Sequence, residues 1–410
     1  MDTTPFAIDI PRHTLQDLRQ RLANTRWTDE VPKSDWEYGT NLDYLTSLVD
    51  YWRDAFDWRA QEQALNQLHH FRTEIDGIGI HFIHERGTGG NPLPLVLTHG
   101  FPDSFLRFAK IIPLLTDPAA HGGHPDDAFD VIVPSLPGYG FSDKPDKKGM
   151  LFKIADLWAT LMKERLGYAR FGAHGGDWGS TVTEHLARSH ADSVVGIHLT
   201  DVPFMHLFHE PKDLSAGEMK FIEQSKQWQQ KEGAYAMIQG TRPQSLAYGL
   251  NDSPAGLAAW IVEKFRLWSD CEGDVESRFS KDELLTNITL YWVTETINSS
   301  FRLYYDAANA GAITWIVEMI KNWTGSSKVP TGFASFPHDL LPPPRAWAER
   351  FFNVQHWTDM PRGGHFAALE EPQLLADDIR AFFRPLRVKN EQKLFAEAAE
   401  PLPILGVQAA

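Results

Sequence analysis

Four short apolar runs, 93-LPLVLTHG-100, 129-FDVIVPSLPG-138, 169-ARFGAHGG-176 and 194-VVGIHLTDVP-203, each stop in turn residues. Helix-patterned segments such as 104-SFLRFAKIIPLL-115 and 153-KIADLWATLMKERLG-167 lie between them. Strands separated by helices cannot pair as hairpins. The chain must cross over, which demands a mostly parallel sheet with helices on both faces. One hairpin precedes the series, in 71-FRTEIDGIGIHFIHERG-87, where two alternating segments flank an Asp76-Gly77 turn. Before it, residues 1–72 are patterned as amphipathic helices, as in 14-TLQDLRQRLANTRW-27 and 43-DYLTSLVDYWRDAF-56. Residues 206–325 are largely helical and rich in aromatics. Strand character then returns at 327-SKVPTGFASF-336 and 353-NVQHWTDM-360, followed by a helix at 372-PQLLADDIRAFF-383. The expectation is an α/β core, 73–205 and 326–410, interrupted by a helical lid at 206–325 and preceded by a helical extension at 1–72. With 410 residues the chain is long enough for such a core and a second lobe.

The stretch 171-FGAHGGDWGST-181 reads as strand, glycine-rich corner and first helical turn, the layout of a nucleophile elbow. The usual Gly-x-Ser-x-Gly would put a serine at the tip. Here Asp177 holds the slot, and Ser180 lies past it on the helix, which argues against a serine esterase. A carboxylate attacking an acyl carbon would form an anhydride. Attacking an sp³ carbon, it forms an ordinary alkyl ester that water can cleave at the carboxylate's own carbonyl. The aspartate therefore points to an alkyl electrophile, either a halide or an epoxide. A plain Asp in a Gly-rich turn is the bland alternative.

Ester cleavage needs a base, an orienting acid and oxyanion donors. The chain order in such sheets is nucleophile, acid, histidine. His365, in 363-GGHFAALEEP-372, follows a strand and precedes the last core helix, where a loop at the carboxyl edge carries a base. Two carboxylates fit the acid, Asp339 in 336-FPHDLL-341 and Asp201 in 199-LTDVP-203, and local composition does not separate them. Glu370 and Glu371 read as first-turn helix charges. The oxyanion donors are expected to be the backbone N–H groups of Trp178, after the nucleophile, and Phe101, in 98-THGFPDS-104. A halide leaves as a weak base and needs only N–H dipoles, whereas an epoxide opens to an alkoxide and needs a proton donor or a strong hydrogen bond. The lid offers Tyr235, Tyr248, Tyr291, Tyr304 and Tyr305, and spacing alone does not choose among them.

At this point the chain resembles the epoxide hydrolases of the α/β-hydrolase superfamily, in the microsomal-type branch with its soluble fungal and bacterial relatives. The likeness rests on 25-TRWTDEVPKSDWEYG-39, 99-HGFP-102, 175-GGDWG-179, 249-GLNDSPAGLAAW-260, 332-GFASFPHDLLPPP-344 and 361-PRGGHFAALEEP-372, and spans nearly the whole chain. It implies an α/β-hydrolase fold. It also implies Asp177 as nucleophile, His365 as general base, Asp339 rather than Asp201 as acid, and Tyr235 and Tyr304 as lid proton donors. Tyr305, the neighbour of Tyr304, leaves a one-residue ambiguity in the last assignment. The implied reaction takes a small-molecule aryl or alkyl epoxide to a vicinal diol, with no cofactor and no metal. A homodimer is common among such enzymes. The HGxP motif and the elbow are shared with haloalkane dehalogenases, which form one rival reading. A noncatalytic ligand-binding protein on the same fold is the other.

Net charge separates further classes. At −15, the chain offers no concentrated basic face for nucleic acid or an anionic membrane. The one cysteine, Cys271, excludes an internal disulfide and fits a reducing compartment. The opening MDTTPFAIDIPRHTLQDL lacks the basic start and apolar run of a signal peptide or anchor, so a soluble cytoplasmic enzyme is expected. The histidines of 121-HGGH-124 sit in a Gly/Pro/Asp loop and form no convincing metal-ligand set.

Overall fold

The computed structural model describes residues 3–208, 211–309 and 327–398. The parts of the expected lid at 209–210 and 310–325 lie outside the described residues. The sheet runs β1 (Thr4–Pro5), β2 (His70–Ile75), β3 (Ile78–Glu85), β5 (Phe129–Pro134), β4 (Leu93–Thr98), β6 (Phe171–Gly175), β7 (Val194–Leu199), β8 (Pro330–Ser335) and β9 (Asn353–Asp359). Strands β4 to β9 are mutually parallel, and β1, β2 and β3 join in antiparallel register. The β2–β3 turn places Asp76 at φ +53° and Gly77 at φ +77°, the two left-handed residues that a tight hairpin turn requires. β5, β6 and β7 are buried along their whole length, as strands covered on both faces must be.

The strand order carries the functional consequence. From β4 the chain moves to β5 on one side, then crosses to β6 on the other. The carboxyl ends of β4 and β6 therefore border the point where winding reverses, the crevice in which open parallel sheets place their ligands. Motif 99-HGFP-102 leaves β4 there, and the Asp177 corner leaves β6 there.

Three helices, α1 (Arg12–Ala23), α2 (Leu42–Asp54) and α3 (Trp58–Leu65), precede the hairpin. The core carries α4 (Ile112–Thr116), α5 (Ile154–Thr160) and α6 (Trp178–Ser189). The segment 104–115, patterned as one helix, is instead a 3-10 turn at Phe105–Phe108 followed by the short α4. Pro113 explains the break: lacking an N–H, it is tolerated in the first turn of a helix but not in its interior. Between β7 and β8 lie α7 (Ala216–Glu232), α8 (Ala234–Thr241), α9 (Pro243–Asp252), α10 (Pro254–Trp268), α11 (Lys281–Thr294), α12 (Ile297–Ser300) and α13 (Arg302–Asn309). The N-terminal helices bind this layer directly. Tyr51 donates to Asp282 at 2.9 Å, Thr40 to the Ala259 carbonyl at 2.7 Å, and Arg21 to Asp252 at 2.7 Å. After β9, the last helix Pro372–Ala398 packs Phe382 and Phe383 under the sheet.

Candidate active site

Asp177 stands at φ +57° and ψ −129°, a conformation that costs a non-glycine residue about 1–3 kcal/mol and persists only where its surroundings enforce it. The enforcement is visible. The Asp177 N–H donates to Asp201 Oδ2 at 2.7 Å, and Ser180 Oγ bridges the Asp177 carbonyl at 2.7 Å and Asp201 Oδ1 at 2.5 Å. A Cβ on Gly179 would lie 1.9 Å from the Thr98 carbonyl oxygen, and one on Gly100 would lie 2.2 Å from Asp177 Oδ1. Only glycines let the β4 and β6 corners approach this closely.

The two carboxylate oxygens of Asp177 have different surroundings. Oδ1 accepts the N–H of Phe101 at 2.9 Å and of Trp178 at 2.7 Å. Oδ2 lies 3.5 Å from His365 Nε2, an ion-pair distance too long for a good hydrogen bond. His365 Nδ1 sits 2.7 Å from Asp339 Oδ1. The structure thus brings together Asp177, His365, Asp339 and the N–H groups of Phe101 and Trp178. Asp201 is held at the elbow backbone, while Asp339 occupies the ring nitrogen of His365.

Charge follows geometry. Burial raises the Asp177 pKa, but His365 and the two N–H donors outweigh it, so the carboxyl lies below its ordinary value. Burial lowers the His365 pKa, but the carboxylates of Asp339 and Asp177 reverse this and hold the imidazole at about 10. The resting pair is therefore imidazolium and carboxylate. Asp201 is pushed up to about 7, by burial first and then by the neighbouring charge of Asp339.

On the lid side, Tyr235 on α8 and Tyr304 on α13 are buried with ring centroids 5.9 Å apart. Burial and the charge of Asp177 both raise the two phenols well above their ordinary pKa, so both remain protonated. Tyr304 packs edge-on to Trp178 at 4.8 Å and to Phe101 at 5.6 Å. Tyr305 points elsewhere, half-buried beneath Lys148. Tyr291 donates to the Asp103 carbonyl at 2.8 Å, and Tyr248 is exposed.

Several supporting residues escaped the sequence. Glu370, read as a first-turn charge, does stand in the single turn of a short helix, Ala367–Glu370, but its role goes further. Its carboxylate accepts the N–H groups of Asp270 at 2.8 Å, Gly364 at 3.1 Å and Phe366 at 2.9 Å, clasping the His365 loop to the end of α10. Glu371, given the same reading, is buried and pairs with Arg362 and Arg278. Arg107 pairs with Asp103 at 3.1 Å, both buried, and donates to the His365 carbonyl. Buried Lys264 stands 5.0 Å over the Tyr235 ring. The pattern of apolar and polar residues marks a buried cation or carboxylate no differently from a solvated one, so no local signal picks these out. A surface cleft of about 480 Å³ between α1, α9 and α12, lined among others by Arg21, Tyr248 and Arg302, shares no residue with this centre.

Comparison with known proteins places the chain by family and fold. Residues 3–108 match the family described as Epoxide hydrolase N terminus, and residues 94–236 match the alpha/beta hydrolase fold. The chain is 40% identical to epoxide hydrolase 1 of Sus scrofa over 406 residues, covering 92% of this chain and 88% of the relative. The structure of Aspergillus niger epoxide hydrolase superposes with a TM-score of 0.81 at 32% identity, covering 94% and 97% of the two chains. That of juvenile hormone epoxide hydrolase from the silkworm Bombyx mori gives 0.80 at 28% identity, covering 95% of each.

Proposed function

The chain belongs to the epoxide hydrolase family on the α/β-hydrolase fold, and from that premise we propose that it converts an apolar epoxide and water to a vicinal diol through an ester on Asp177. The observation that carries this reading is a partly buried carboxylate on the core whose charge is felt by two buried phenols on the lid. A halide needs no acid. An opening oxirane does, and a phenol kept protonated supplies it.

Tyr235 and Tyr304 hold the oxirane oxygen, and Asp177 Oδ2 attacks a ring carbon from the opposite side. The C–O bond breaks, that carbon inverts, and a phenol protonates the nascent alkoxide. Esterification removes the negative charge of Asp177, one of the two carboxylates that keep His365 protonated. The imidazolium then releases its proton, which restores the phenol and leaves a neutral base. His365, oriented by Asp339, next deprotonates water for attack on the ester carbonyl. That carbonyl oxygen, Oδ1, already lies between the N–H groups of Phe101 and Trp178, where developing oxyanion charge is stabilised. Diol departs, and carboxylate and imidazolium are restored with the protons balanced. Asp201 keeps the elbow in its strained form. The single cysteine, Cys271, is free and buried, and we infer a reducing, cytoplasmic setting from it.

The test is His365→Gln exposed to a panel of aryl and alkyl oxiranes and examined by mass spectrometry. The expected result is an adduct on the Asp177 peptide equal in mass to the oxirane. Full turnover without an adduct would refute the assignment of the base.

A further inference from the structure

Gln239 is fully buried, and neither its Oε1 nor its Nε2 has a hydrogen-bond partner. Among the described residues it is the one side chain with two such orphan atoms. Burying an amide unpaired is unfavourable, so native proteins seldom leave both ends open. The position indicates what the amide awaits. Gln239 lies one turn beyond Tyr235 on α8, so the two side chains share a face. A Cβ on the next residue, Gly240, would sit 3.0 Å from Ala308 Cβ and 3.5 Å from the Tyr304 carbonyl oxygen, which puts α13 on that side. At 3.6 residues per turn, Gln239 falls about 40° from Tyr235 and about 100° from Gly240, between the two directions. Its side chain therefore leaves α8 on the side that carries Tyr235 and borders α13, the helix of Tyr304. Trp178 Nε1, Trp268 Nε1 and His365 Nε2, all at the reaction centre, are also buried without hydrogen-bond partners.

We propose that Gln239 is a specificity-determining residue that recognises the substrate. Its amide hydrogen-bonds an ether, hydroxyl or carbonyl oxygen carried by an otherwise apolar epoxide, about 6 Å from the oxirane oxygen, the spacing of side chains one helical turn apart. The inference rests on the epoxide hydrolase reading and names the substrate class for that site: oxiranes with one polar oxygen on the chain, rather than pure hydrocarbons.

Two chain-matched substrates test it, 2-pentyloxirane and 2-(3-methoxypropyl)oxirane, in which an oxygen replaces one methylene. The native enzyme should favour the ether in kcat/KM. Gln239→Met, similar in length and apolar, should reduce that preference about tenfold, mainly through KM for the ether, because a contact remote from the reacting atoms contributes equally to ground and transition states. Removing an unpaired amide should leave Tm level or raise it. If Gln239 is satisfied by an internal water instead, Gln239→Met lowers Tm and the substrate ratio does not move, and the inference is overturned. Gln239→Leu repeats the measurement with a different packing shape. Inactivity of the native enzyme on both oxiranes and on styrene oxide would overturn the parent activity and this inference together.

Discussion

The two sides of the site are built differently. On the core side, Asp177 is fixed by main-chain groups: the N–H of Phe101 and Trp178 on its carboxylate, and its own N–H on Asp201. On the lid side, Tyr235 and Tyr304 are fixed by rings, Trp268, Trp178, Phe101 and each other, with Lys264 behind. Backbone amides aimed by a strand end and a helix start tolerate no displacement, and they are held by the close-packed glycines and by the side chains of Asp201 and Ser180. Ring packing sets direction by shape and can be altered by substitution at many positions. The core end is thus suited to chemistry common to every substrate, and the lid end to choosing among them.

Four substitutions probe that contrast. Asp177→Asn removes the proposed nucleophile and should lower turnover about 10⁴-fold or more, with slow deamidation the one route to recovery, followed as a mass change of one dalton. Tyr304→Phe should slow ring opening about 10²–10⁴-fold, read as single-turnover ester formation, while hydrolysis of preformed ester stays close to native. Tyr305→Phe is the control, and the larger loss there would move the donor by one residue. Glu370→Gln keeps the shape of the clasp but removes its charge. It should destabilise the fold by about 1–2 kcal/mol in denaturant titration, since one neutral acceptor replaces charge-assisted hydrogen bonds to three N–H groups. The smallest effect is on titration alone. In Asp177→Asn the His365 imidazole loses one anionic partner, so its pKa should fall from about 10, visible in the ring resonances by NMR. In the native enzyme, turnover should decline as pH rises through that value, because the imidazolium proton that restores the phenol after ring opening is then already gone. It should persist at acid pH, because the Asp177 carboxyl lies below its usual range.

The same contrast decides how much was legible in the sequence. Elbow, oxyanion loop and base loop are each set by a few adjacent residues with a glycine where chains touch, and 171–181, 98–104 and 363–372 carry that pattern openly. The parallel sheet follows from its apolar runs and its crossovers. Local composition left the acid open between Asp201 and Asp339 because both follow core strands; the family resemblance favoured Asp339, and the fold sets Asp339 on a ring nitrogen and Asp201 on a backbone N–H. Spacing did not choose among the five tyrosines; the resemblance pointed to Tyr235 and Tyr304, and the helix packing sets these two rings together, with Tyr304 on Trp178. Gln239, and Asp103 with Arg107, gave no sign, and the three N–H groups that Glu370 accepts were not foreseen, since burial of a polar side chain is a property of what surrounds it. The break at Pro113 was legible in principle, and the apolar pattern across 104–115 masked it.

The unequal surroundings of the two Asp177 oxygens have an isotopic consequence. On the proposed route Oδ2 leaves in the diol, and an atom from solvent takes its place on the His365 side, while Oδ1 stays between its two donors. If the carboxylate does not rotate between cycles, ¹⁸O from the solvent reaches one position and stops there however many cycles follow. The diol of the first cycle would then be light and every later one heavy. The enzyme would keep one oxygen for life and spend the other at each turn.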